Sequence, residues 1–202
     1  MEEQQLEALA EALMARLFVP MEASGRHVHV TKEQAVALFG HELTQARPLS
    51  QPGQFLANER VRVIGPKGEF QNVAVLGPER KNAQVEISLT DGRVLGLEAP
   101  VRASGDTANS PGAVLEGPGG RITLREGVVV AKRHIHLTPE DGARFGVKDK
   151  QVVKLQTFTD RPVIFEDVAV RVNPDFASYV HLDYDEANAC GFQKGDLGRI
   201  LT

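Results

Sequence analysis

The sequence predicts a mainly β protein: two small β-barrel domains related by internal duplication, with short capping helices and one amphipathic helix at the start. Three observations predict it. Arg-His-apolar-His-apolar-Thr is written twice, as RHVHVT at 26–31 and as RHIHLT at 133–138. Each copy runs into a short helix-like segment that ends at Phe-Gly, Phe39-Gly40 and Phe145-Gly146. Most of the remaining chain is short β-rich runs broken by glycine turns, a spacing that favours barrels or sandwiches over a doubly wound sheet.

The elements follow in order. Residues 2–18 place Leu6, Leu9, Leu13 and Leu17 on one helical face, with Glu2, Glu3, Glu7 and Glu11 in the early turns and Pro20 as the stop. So short a helix is marginal alone. It therefore docks on its own domain or a twin subunit, or serves as an address peptide for a larger assembly. VRVIGPKGEFQNVAVLG (61–77) reads as a hairpin around Gly65–Gly68, and AVLEGPGGRITLREGVVVAK (113–132) repeats it around Gly117–Gly120. Neither glycine run matches a phosphate-binding loop. VVKLQTF, PVIFEDVAVRV and SYVHLDY continue the strands. Short helices follow each His-x-His, with Thr31/Glu33 and Thr138/Glu140/Asp141 as cap residues and Pro139 at a first helical position.

Composition excludes several classes. A net charge of −4 and aromatics at 5%, with no tryptophan, argue against a nucleic-acid binder. Cys190 is the only cysteine, so no intramolecular disulfide can form and a reducing compartment is expected. No apolar run approaches the ~20 residues of a membrane span. The start MEEQQ lacks the basic region of a secretory signal, which leaves a cytoplasmic protein as the expectation.

The histidines carry the chemistry. On a strand, residues i and i+2 leave the same face about 6.6 Å apart, so His27/His29 and His134/His136 can each converge on one cation. Neutral imidazole suits zinc or another late first-row metal, and a catalytic zinc takes three protein ligands. Each pair needs a third. His181, in SYVHLDY, is one candidate; Glu86, in QVEISLT, is another, because a buried carboxylate demands a partner. Arg80, in the turn GPERKN, reads on pattern alone as a solvated surface arginine, although beside a metal it could grip an anion with its two-pronged fork. Arg26 and Arg133 face the other side of their strands, His41 reads as a surface residue, and Cys190 as a buried structural thiol.

Taken with LSQPGQF (49–55), VLGPERKNAQVEISLTD (75–91), ANSPG (108–112) and HLDYDEANA (181–189), the chain resembles the PduL-type phosphate acyltransferases, the phosphate propanoyltransferases or phosphotransacylases of propanediol degradation. The likeness covers nearly everything after Pro20. It implies two β-barrels, residues 1–25 packing with 132–202 as one and 26–131 forming the other with a short inserted segment. It implies two Zn2+ per subunit, with other divalent metals tolerated: one held by His27, His29 and Glu86, the other by His134, His136 and His181. Arg80 would contact phosphate.

The implied reaction is reversible transfer of a propanoyl or acetyl group between CoA and inorganic phosphate, giving acyl phosphate. Direct phosphate attack at a dinuclear site, with no acyl-enzyme, is the expected mechanism. A dinuclear zinc hydrolase and a non-catalytic metal-binding scaffold are the rivals. The resemblance also implies a homodimer. Members bound for bacterial microcompartments carry an amphipathic encapsulation peptide, for which residues 2–18 would be the shell or cargo contact. Here that helix runs almost directly into the first His-x-His strand, unlike a peptide on a linker.

Overall fold

The structure, a computed structural model, describes residues 3–202. Glu2, and the side chains of Glu3 and Glu11, lie outside the described residues. The chain runs α1 (Glu3–Leu17), β1 (Val19–Ser24), β2 (His27–His29), α2 (Lys32–Phe39), β3 (Gln45–Pro48), β4 (Phe55–Ile64), β5 (Glu69–Gly77) and β6 (Gln84–Ile87). It continues through α3 (Leu89–Leu95), β7 (Val101–Arg102), β8 (Val114–Gly117), β9 (Gly120–Thr123), β10 (Val128–Ala131) and β11 (His134–Leu137). Then come α4 (Pro139–Phe145), β12 (Val152–Phe158), β13 (Ile164–Val172), β14 (Tyr179–Asp183), α5 (Tyr184–Cys190) and β15 (Leu197–Leu201). Two compact units result. One takes the residues up to Ser24 with Arg133–Leu182 and Glu186–Thr202; the other takes Gly25–Lys132 with Asp183–Asp185.

The first unit is a closed barrel in the order β1–β14–β11–β13–β12–β15. β1 closes it against β15, with Val19 opposite Gly198 and Pro20 opposite Leu197. Side chains alternate across a strand, so Ile135 and Leu137 enter the core with Val153 and Leu155 of β12, and with Val168, Val170, Val180 and Leu182. The same alternation turns His134 and His136 to the opposite face of β11. Pro20 is not the helix stop expected of it: α1 ends at Leu17, and Pro20 sits inside β1. Leu6, Leu9, Leu13 and Leu17 stay about half exposed.

The second unit is a nine-stranded sheet, paired along β7–β10–β6–β2–β5–β4–β8–β9 with β3 beside β4. This pairing path ends at β7 and β9 rather than closing as the barrel does. The two expected hairpins are β4–β5 and β8–β9, both antiparallel. Val28 on β2 and Val85 and Ile87 on β6 enter this unit's core, which points their neighbours His27, His29, Gln84 and Glu86 the other way.

Each His-x-His strand is followed by a capped helix. Thr31 accepts from the Gln34 N–H, in a capping box completed by the Gln34 side chain, so the box partner is Gln34 and not Glu33. Thr138 accepts from the Asp141 N–H with Pro139 in the first turn. Gly40 and Gly146 end the two helices in the left-handed region, at φ 83° and 68°. Sequence reasoning did not foresee α3 and α5. Among the described residues no helix is long and apolar enough to cross a membrane.

Candidate metal centres

In the sheet unit, β2 and β6 are antiparallel neighbours, with His27 opposite Glu86 and His29 opposite Gln84. The ligand atoms of His27, His29 and Glu86 all lie within 4.8 Å of one another, and all three residues are buried. Glu86 Oε2 is 3.5 Å from His27 Nε2, and Oε1 is 4.0 Å from His29 Nε2. The far side of each ring is anchored. His27 Nδ1 sits 2.8 Å from the Gly25 carbonyl and His29 Nδ1 3.1 Å from that of Leu76. A carbonyl oxygen only accepts, so each Nδ1 carries a proton and each ring aims its Nε2 inward, the atom that would bind a metal.

The electrostatics ask for a cation. Burial, reinforced by His27 and Arg80, pushes the His29 imidazole down to about 3, so it is neutral. Burial also works against a charged His27, but the Glu86 carboxylate outweighs it and raises that imidazole. Burial would raise the Glu86 carboxyl, yet His27 and its other partners hold it well below the ordinary range. A buried carboxylate that stays ionised needs positive charge beside it.

In the barrel unit, His134 and His136 on β11 meet His181 on β14, where His134 and His181 are register partners. Their ligand atoms also lie within 4.8 Å of one another. The His134 and His181 rings stack at 4.9 Å, and His136 stands 4.7 and 4.8 Å from them. Burial, with His134 and Arg171 adding to it, pushes His136 down to about 3. Its two ring nitrogens are buried without a hydrogen-bond partner. An unsatisfied buried polar group costs about 1–3 kcal/mol, and coordination would remove that penalty. Both donor sets, three imidazoles and two imidazoles with a carboxylate, fit zinc. The barrel-unit cluster has Glu22 3.7 Å from His181 Nδ1 and the Phe176 ring 4.1 Å from that of His136.

Arg80 belongs with the sheet-unit cluster. Its N–H donates to the Val30 carbonyl at 2.8 Å, just beyond the His27–His29 strand, and its Nη1 donates to Ser104 Oγ at 3.5 Å. Ser104 Oγ in turn donates to Glu86 Oε1 at 2.9 Å. Arg26 and Arg133 are drawn into ion pairs instead, with Asp91 and Glu186, each at 2.7 Å. His41 is exposed and binds the Glu42 carbonyl. Cys190 is fully buried, its Sγ donating to the Ala187 carbonyl, and burial pushes the thiol up. Sequence reasoning missed Gln84, Ser104, Glu22 and Phe176. Only Gln84 carried a signal, standing two residues before Glu86 on one strand face.

The family model for phosphate propanoyltransferase matches residues 20–193. A phosphate propanoyltransferase of Enterococcus faecalis is 55% identical over 90% of this chain and 87% of its own. One of Listeria monocytogenes is 52% identical over 97% and 93%, and one of Clostridioides difficile 47% identical over 97% of each. With most of its length matched in this way, the chain belongs to the phosphate propanoyltransferase family, a family of acyltransferases.

Proposed function

We propose that this chain is a phosphotransacylase that moves a propanoyl or similarly short acyl group reversibly between CoA and inorganic phosphate. It does so with two divalent cations, zinc by the character of their donors. His27, His29 and Glu86 hold one; His134, His136 and His181 hold the other. The observation that carries the reading is the pair of donor triads, with the His136 ring nitrogens buried and without a hydrogen-bond partner, in a chain of this family. When bound, zinc supplies fixed positive charge and accepts both oxygen and sulfur.

The chain's own residues then do the positioning. Phosphate is largely a dianion near neutral pH, and the Arg80 guanidinium can take two of its oxygens at once. Holding it beside the thioester replaces an encounter in solution with a fixed approach. A phosphate oxygen bonds to the carbonyl carbon, the carbon–sulfur bond breaks, and CoA leaves as the thiolate while the acyl phosphate remains. The buried, protonated Cys190 supports this direct route over an acyl-enzyme.

The test is thiol release from a panel of short acyl-CoAs with phosphate, with and without chelator, beside metal analysis. Two equivalents of zinc per chain and phosphate-dependent, chelator-sensitive release of CoA are expected. No such release with any acyl-CoA would overturn the reading. Release that ignores phosphate and yields free acid would point to a hydrolase instead.

A further inference from the structure

The two oxygens of Glu86 have unlike surroundings. Oε2 faces His27 Nε2 at 3.5 Å, while Oε1 stands farther off, 4.0 Å from His29 Nε2. Oε1 accepts from Gln84 Nε2 at 2.6 Å and from Ser104 Oγ at 2.9 Å. Gln84 is only 2% exposed, and its own Oε1 accepts the Gly105 N–H at 2.8 Å. A backbone N–H can only donate, so the amide oxygen must face Gly105 and the NH2 must face Glu86. The amide is therefore fixed at both ends. Its place follows from β-sheet register: Gln84 lies opposite His29 as Glu86 lies opposite His27, and all four project from one face.

We infer that Gln84 is a positioning residue that occupies Oε1 of Glu86 and presents Oε2 alone to the cation, so that the carboxylate binds through one oxygen. This rests on the proposed role of His27, His29 and Glu86 as ligands. A hydrogen bond to a carboxylate is among the stronger kinds, and outer partners of this sort set ligand geometry and metal affinity. With only the rotatable Ser104 hydroxyl left on Oε1, the carboxylate can turn and chelate with both oxygens, filling a position otherwise open to a substrate oxygen.

Cobalt(II) in place of zinc gives the readout, because its visible bands weaken several-fold on passing from four to five ligands. His27→Ala and His134→Ala first assign the bands, each deleting one equivalent. Gln84→Met should then weaken the band lost in His27→Ala and change cobalt affinity there by about 10–100-fold, leaving the other band intact as a reporter of folding. Parent-like bands and affinity in Gln84→Met would overturn the inference. If Gln84→Met loads neither centre, Gln84→Asn carries the test: its amide, one methylene shorter, cannot span Gly105 and Glu86, and parent-like bands and affinity in it count equally against. A His27→Ala protein that binds as much cobalt as the parent would sink the underlying ligand assignment instead, a distinct result.

Discussion

At the scale of single residues, Glu86 is the charge that the sheet-unit cluster is built around, and Arg80 is the cation beside it. Glu86→Gln keeps the shape and removes the charge; zinc content should fall by about one equivalent per chain, read by elemental analysis after dialysis. Arg80→Lys keeps the charge and removes the planar fork, so KM for phosphate should rise by roughly tenfold or more, as expected for losing one charged hydrogen bond. Cys190→Ala should leave turnover within a few-fold of the parent, and the native thiol should react with a disulfide reagent only after unfolding.

Glu59, outside both donor triads, offers a pH test. Burial works to raise its carboxyl, but the Thr44 hydroxyl and N–H outweigh burial and hold it below the ordinary value of 4.5. A depressed folded pKa contributes stability above the unfolded value that is lost as pH falls through the folded one. The melting temperature of the parent should therefore drop more between pH 6 and pH 3 than that of Glu59→Gln. The histidine pairs and Glu86 were legible because a strand's period of two shows in the letters. Ser104 was not, since a loop residue reaches Glu86 only through a fold that brings positions 18 apart together.

At the scale of elements, the strand–cap–helix unit explains both what was read and what was missed. Thr138→Ala removes the acceptor for the Asp141 N–H and should cost about 1 kcal/mol, seen as a melting shift of a few degrees. Gly117→Ala should cost more. A Cβ there would meet the Leu38 carbonyl at 2.4 Å, and α2 would have to move. The same logic applies to α3, whose Ser88 and Asp91 form a capping box directly after β6. The letters SLTD carried that signal, but the apolar run before them read as strand throughout. α5, at seven residues and entered straight from β14, left no comparable mark.

At the scale of the whole molecule, the closed barrel depends on β1 seated beside β15. The first and last strands of the chain are the least local partners a sequence can have. Strand content was therefore legible, while which unit closes and which stays a nine-stranded sheet was not. Deleting the residues up to Leu17 should leave the barrel intact, with a melting temperature within a few degrees of the parent. Deleting through Ser24 strips β1, exposes unpaired edges on β14 and β15, and should give aggregation in size-exclusion runs.

The same adjacency sets a timetable on the ribosome. The sheet unit, nearly all of it written between Gly25 and Lys132, can mature while translation is still under way. The barrel must wait for residues 133–202, roughly 4–14 s more at ordinary elongation rates. During that wait the nascent β1 has neither β14 nor β15 to pair with, an open edge of the kind that chaperones cover.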